Sequence, residues 1–375
     1  MVAWEVLAAV LAVAVIASLV SIRIGVSVAL LEMIGGVLAG NYFGVSTNGQ
    51  DWLPFIAGIA SVVLVFLAGA EIDPVAMRKT WKASAAIGIL SFLAPFLAAW
   101  GFAALVLHWS PQASLLAGVA LSTTSVAVVY VVLVESGTSR TATGKLILSA
   151  CFITDLGTAL ALSVLFLRPN EYIFLLIAAI AASAWLAPKI FAPLLRYLKG
   201  KVGETEVKVI FFSVILLGAV AQLAGSQAVL PAYIFGLAMA SVMAQNRAVL
   251  LRLRSMTLAF LTPFFFINAG LDVSLAAVVV GVGLVVILFG VKVGAKLAGV
   301  LPTTRRLVGH DSVYISLLMS TGLTFGTISA LYGLESGIID KFQFSVLLTV
   351  VIASAIIPTL IAQQWFRPAP EAGDQ

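Results

Sequence analysis

Charge is scarce in this chain, and so are the residues that build most soluble sites. Only 10% of its 375 residues are charged, against about 25% in soluble domains, which excludes an ordinary water-soluble fold. A single cysteine, Cys151, rules out an internal disulfide and any cysteine-based metal site. Two histidines, His108 and His310, lie far apart at predicted helix ends and make no metal cluster. The net charge of +5 is spread through short loops, without the basic stripe that nucleic acid requires. What fills the chain is apolar: 62% of residues are hydrophobic and the mean hydropathy is +1.14. The composition is that of an all-α polytopic membrane protein, with the lipid bilayer as its main surrounding partner and no enzyme chemistry or cofactor expected.

A spanning helix needs about 20 mostly apolar residues. Cutting the sequence at turns and charges predicts thirteen transmembrane helices, over 3–21, 24–43, 52–70, 83–107, 111–134, 143–167, 171–194, 206–224, 227–244, 256–271, 274–300, 311–333 and 342–363. The first carries Glu5 in place of a basic leader region, so it is expected as a retained helix and not a secretory signal. Cytoplasmic loops are enriched in Lys and Arg. Of the 21 basic residues, seventeen fall after odd-numbered spans or in the tail, Arg168 and Lys341 fall on the other side, and Lys292 and Lys296 lie inside span 11. That asymmetry predicts an N-terminus outside and a C-terminus in the cytoplasm of a cell whose plasma (inner) membrane holds the protein.

Two spans carry sequences that should not remain helical. Span 5 contains Ser122, Thr123, Thr124 and Ser125 in a row; span 12 contains Ser320, Thr321, Gly322, Thr324, Gly326 and Thr327. Hydroxyls satisfy the amide groups that an unwound segment frees. Interruptions at matching places in two halves mark inverted-repeat transporters, beside the substrate site. Spans 5 and 12 are seven apart and therefore run oppositely, which predicts inverted repeats with two crossing discontinuous helices.

The stretch "CFITDLGTALALS" sets Asp155 near the centre of span 6, about a dozen residues from either end. A carboxylate at that depth costs at least a few kcal/mol unless it is solvated or paired, so such residues line ion and proton routes. One carboxylate holds a proton or a small cation, not both, and that exclusion suffices for exchange. Hard cations take oxygen ligands, so Thr154, Thr123, Thr124 and Ser125 are the expected companions of Asp155. Lys292 and Lys296, one turn apart on span 11, share a face. Lys292 is the deeper and is expected to be the charge partner of Asp155; Lys296 is near enough to the cytoplasmic end to snorkel. Glu32, among Gly35, Gly36 and Gly40, is expected at a close helix contact and is a second candidate for the path. Glu135, with Arg140 and Lys145, is a candidate gate at the inner mouth. Glu71 and Asp73 read as a turn device, and Cys151 as a packing residue one turn before Asp155.

Taken in order, "FLAGAEIDP", "LSTTSVAV", "GKLILSACFITDLGT", "TPFFFINAGLDVS", the span 11 lysine and "STGLTFGTISALYGL" resemble the cation:proton antiporter superfamily, in its second branch of prokaryotic sodium or potassium/proton exchangers. The resemblance covers residues 25 to 360. It implies a homodimer and an elevator-type movement, with panel segments at 1–82 and 206–272, core halves at 83–167 and 273–363, a linker span at 168–205 and a disordered tail at 364–375. Electrogenic relatives have two adjacent aspartates where this chain has Thr154 and Asp155, so Asp155 matches the transport aspartate and a lysine partner for its neighbour cannot be carried over. An electroneutral exchange is expected, of sodium first, with lithium and potassium open. A potassium/proton antiporter, a gated potassium efflux pathway and a sodium-coupled organic-anion symporter stay as alternatives.

Overall fold

The computed structural model describes residues 3–45, 51–139, 141–167, 170–198, 204–309 and 311–368. Every ordered element among them is helical. In chain order these are α1 (Ala3–Ile24), α2 (Val28–Tyr42), α3 (Trp52–Ala70), α4 (Pro74–Leu105), α5 (Pro111–Ser122), α6 (Val126–Glu135), α7 (Ala142–Leu165) and α8 (Ile173–Leu198). They continue as α9 (Thr205–Leu223), α10 (Val229–Gln245), α11 (Arg247–Met256), a π-helical turn (Thr257–Leu261) and α12 (Thr262–Leu271). The last are α13 (Leu275–Val280), α14 (Val282–Leu307), α15 (Ser312–Met319), α16 (Thr324–Glu335) and α17 (Lys341–Trp365).

Among the described residues, eleven helical stretches are long and apolar enough to cross a membrane, while α2 and α10 are apolar but shorter. This is a multi-pass membrane protein. Both expected interruptions are present. The backbone leaves the helix at Thr123 to Ser125, between α5 and α6, and again at Ser320 to Leu323, between α15 and α16. Some boundaries lie beyond expectation for local reasons. The α4 helix starts at Pro74, well before residue 83, because Asp73 Oδ1 accepts from Val75 N at 2.9 Å and proline suits a first helical position. Pro302 does not end α14, which runs on to Leu307. The tail residues 369–375 lie outside the described residues.

The chain divides into two compact units, one of residues 1–50, 76–158 and 266–375, the other of 51–75 and 159–265. The second is built by aromatic and glycine packing. Gly69 lies where a Cβ would meet Tyr233 O at 2.6 Å, Gly236 lies against Phe66, and the rings of Phe66 and Phe235 are 5.2 Å apart. Among its charged residues, Arg252 donates to Glu204 at 2.9 Å and Glu206 at 3.2 Å, and Arg254 faces Glu71 at 3.6 Å.

The first unit holds both interruptions and both buried lysines. Here glycines bring backbones together around α4. A Cβ on Gly88 would lie 2.7 Å from Ala150 O on α7, and one on Gly299 of α14 would lie 2.7 Å from Ala94. On α2, Gly36 abuts the Ile267 carbonyl of α12, and a Cβ on Gly40 would lie 2.8 Å from Leu271 O. The close contact expected around Glu32 is therefore present.

Candidate functional site

With α4 packed between α7 and α14, Ser91 of α4 and Lys296 of α14 reach the first interruption. Asp155, on α7, is 2% exposed, and its Oδ1 makes no hydrogen bond to the protein. Lys296, on α14, is fully buried. Its Nζ donates to Ser91 Oγ and to Thr124 Oγ1, each at 2.8 Å. Thr124 in turn donates to Met319 O at 3.0 Å, and Ser125 N donates to Thr321 Oγ1 at 3.4 Å. The two interruptions are thereby tied to each other.

This arrangement corrects the expectation for Lys296: it does not snorkel, because Ser91 of the neighbouring α4 and the unwound Thr124 hold its ammonium inside. Lys292, expected as the charge partner of Asp155, is equally buried, yet its Nζ has no hydrogen-bond partner. It lies one turn away beside the second interruption, where a Cβ on Gly322 would collide with Nζ.

The hydroxyls divide their work. Thr154 Oγ1 donates to Gly88 O at 3.2 Å and Ala150 O at 3.1 Å, which ties α7 to α4 and leaves its oxygen lone pairs as acceptors. Ser125 Oγ caps α6 by accepting from Val128 N at 3.4 Å. Thr123 Oγ1 donates to Ala120 O at 3.3 Å and faces Gly322 and Gly326. Ser91 was not among the expected site residues. Its only sequence signal is a hydroxyl inside the apolar run of α4.

Glu32 is 1% exposed and its Oε2 has no hydrogen-bond partner, but it sits on the α2–α12 seam and no contact joins it to Asp155. Glu135 ends α6, and its side chain lies outside the described residues, as does Arg140. Cys151 is fully buried with its Sγ 3.7 Å from Met319 Sδ, so it packs as expected. Among the described residues no group of three or more His, Cys, Asp or Glu is placed to hold a metal ion.

The first unit thus holds a buried carboxylate with an open oxygen, a lysine held by two hydroxyls and unwound backbone from two helices. The family model of the transmembrane sodium/hydrogen exchanger matches residues 9–367. The chain belongs to the sodium/hydrogen exchanger family. It is 26% identical over 385 residues to a Na(+)/H(+) antiporter of Enterococcus hirae, across 94% of this chain and 95% of that one. It is 25% identical to a probable Na(+)/H(+) antiporter of Methanocaldococcus jannaschii, across 89% of each. The solved structure of the sodium proton antiporter MjNhaP1 from Methanocaldococcus jannaschii superposes with a TM-score of 0.74 at 15% identity, covering 98% of this chain and 100% of that chain. That likeness carries the fold.

Proposed function

We propose that this exchanger moves a monovalent cation, sodium first, against protons, with Asp155 as their shared binding point. The observation that carries the reading is a deeply buried carboxylate beside two interrupted helices, with one oxygen left for a ligand. A proton neutralises Asp155 when the cation leaves; the cation replaces the proton when it returns. Thr154 and the freed carbonyls of the first interruption supply neutral oxygens to the ion. Lys296 stays in place through its bonds to Ser91 and Thr124, so one proton moves for one cation and the cycle is electroneutral. Thr154 does not titrate and adds no second proton.

The remaining parts of the reading follow the family and the charge pattern. Thirteen crossings form inverted repeats, with a core of residues 83–167 and 273–363 moving in an elevator manner against a panel of 1–82 and 206–272. The protein works as a homodimer in the plasma membrane, N-terminus outside. Proteoliposomes with an imposed pH gradient test the function, each cation being offered in turn. Saturable sodium uptake driven by outward proton flow, unchanged by a clamped membrane potential, is the expected result. Uptake that needs no proton gradient, or unitary currents across a bilayer, overturns it.

A further inference from the structure

Three membrane-crossing stretches meet at one end of the first unit. There α14 finishes at Leu307, α15 begins at Ser312 and α17 finishes at Trp365. Between them lies an open cavity of about 260 Å³, lined by Arg305, Gly309, Asp311, the first three residues of α15 and Phe366. The exchange reading makes no use of it. Trp365, next to the lining Phe366, and Leu307, at the end of α14, are both exposed. Tryptophan at the end of a spanning helix marks the headgroup level of a bilayer. The cavity therefore opens where lipid headgroups lie.

Its walls carry charge of both signs. The Arg305 guanidinium is charged at any physiological pH, and among the described residues it makes no ion pair. No side chain caps α15, so the amides of Ser312, Val313 and Tyr314 add the positive end of a helix dipole. Guanidinium and helix amides together suit a phosphate. Asp311 supplies the opposite charge. Thr143 donates to its Oδ2 at 3.3 Å, which orients the carboxylate. A carboxylate has about four acceptor sites, so that bond does not prevent it from meeting an ammonium. A phosphate alone would face the like charge of Asp311, and an ammonium alone that of Arg305. A group bearing both signs satisfies the cavity.

We propose that this cavity binds the headgroup of an aminophospholipid of the phosphatidylethanolamine class. The phosphate meets Arg305 and the first amides of α15, the primary ammonium meets Asp311, and the acyl chains run into the bilayer beside Leu307 and Trp365. A choline headgroup has methyl groups where the ammonium has donors. A glycerol headgroup brings no cation for Asp311. The site thus discriminates among lipids by the amine and not by the phosphate.

The test reads lipid binding, without sodium or a pH gradient, so failed exchange and failed binding are separate results. Delipidated protein in detergent is titrated with phosphatidylethanolamine, phosphatidylcholine or phosphatidylglycerol of the same chains, and native mass spectrometry counts the lipid retained. One phosphatidylethanolamine per chain should be retained, at several-fold lower concentration than either other lipid. Arg305→Gln should weaken that retention several-fold. Asp311→Asn should remove the preference over phosphatidylglycerol; asparagine tolerates the left-handed backbone at this position, where φ is 57°, so the fold is kept. Equal retention of the three lipids by wild-type protein, or a preference that survives either substitution, overturns the proposal. Free O-phosphoethanolamine displacing the lipid at equal concentration would also overturn it, since a soluble compound would then be the ligand.

Discussion

Lys296 and Lys292 are chemically identical, one turn apart on one helix and equally buried, yet only Lys296 is held. Its side-chain nitrogen meets two hydroxyls, whereas that of Lys292 meets a glycine. The interruptions differ in the same sense. The first is all hydroxyl, Thr123, Thr124 and Ser125, and uses its side chains to cap one helix and anchor a lysine. The second is Ser-Thr-Gly-Leu, and its glycine lets the Lys292 side chain lie directly against the backbone. One backbone device, repeated in two spans, builds two different electrostatic environments, and the side chains decide which.

The difference can be broken most strongly at Lys296. Lys296→Gln removes the buried ammonium that Ser91 and Thr124 hold, and each hydrogen bond to a charged group is worth about 1.5–3 kcal/mol. Exchange in proteoliposomes should fall at least tenfold, with thermal unfolding in detergent at lower temperature. Lys292→Gln removes a group with no hydrogen-bond partner, so its unfolding temperature should not fall. A larger loss for Lys292→Gln than for Lys296→Gln would reverse the assignment.

Ser91→Ala tests the anchor itself. It removes one hydrogen bond to a buried ammonium, worth about 1.5–3 kcal/mol, and should lower exchange without abolishing it, since Thr124 remains. Ser125→Ala removes the cap of α6 and should cost about 1 kcal/mol, read as a shift in unfolding temperature; an unchanged midpoint would show that α6 does not rely on this cap.

The smallest effect belongs to the second unit, at Glu71. Burial raises its carboxyl above the ordinary range, and Arg254 at 3.6 Å opposes that rise. The folded protein thus keeps a proton that the unfolded chain releases, and stability should decline as pH rises from the ordinary glutamate range through the folded value. Glu71→Gln should flatten that decline while changing stability at neutral pH by about 1 kcal/mol or less.

Much of this site was legible because its signals are local. A run of hydroxyls or a Gly-rich stretch inside an apolar span announces unwound backbone, and both interruptions fall where Ser122–Ser125 and Ser320–Gly326 predicted. Asp155 stands out as a lone acid in span 6, and the glycines beside Glu32 predicted its close contact. The order of the lysines was not legible. Depth along α14 is a property of one helix, but the partner of each ammonium depends on Ser91 of α4 and on Gly322 of the second interruption, about 200 and 30 residues away in sequence. The π-helical turn at Thr257–Leu261 had no signal in the hydrophobic pattern; there Thr262 Oγ1 donates to Thr257 O at 3.0 Å.

The central claim is that one carboxylate holds the cation and the proton by turns. Sodium added to the purified protein in weakly buffered detergent solution tests it directly, with a pH dye reading the protons set free. Wild-type protein should release one proton for each sodium bound, and Asp155→Asn, still folded, should release none. Sodium binding without proton release, or release undiminished in Asp155→Asn, would contradict the account.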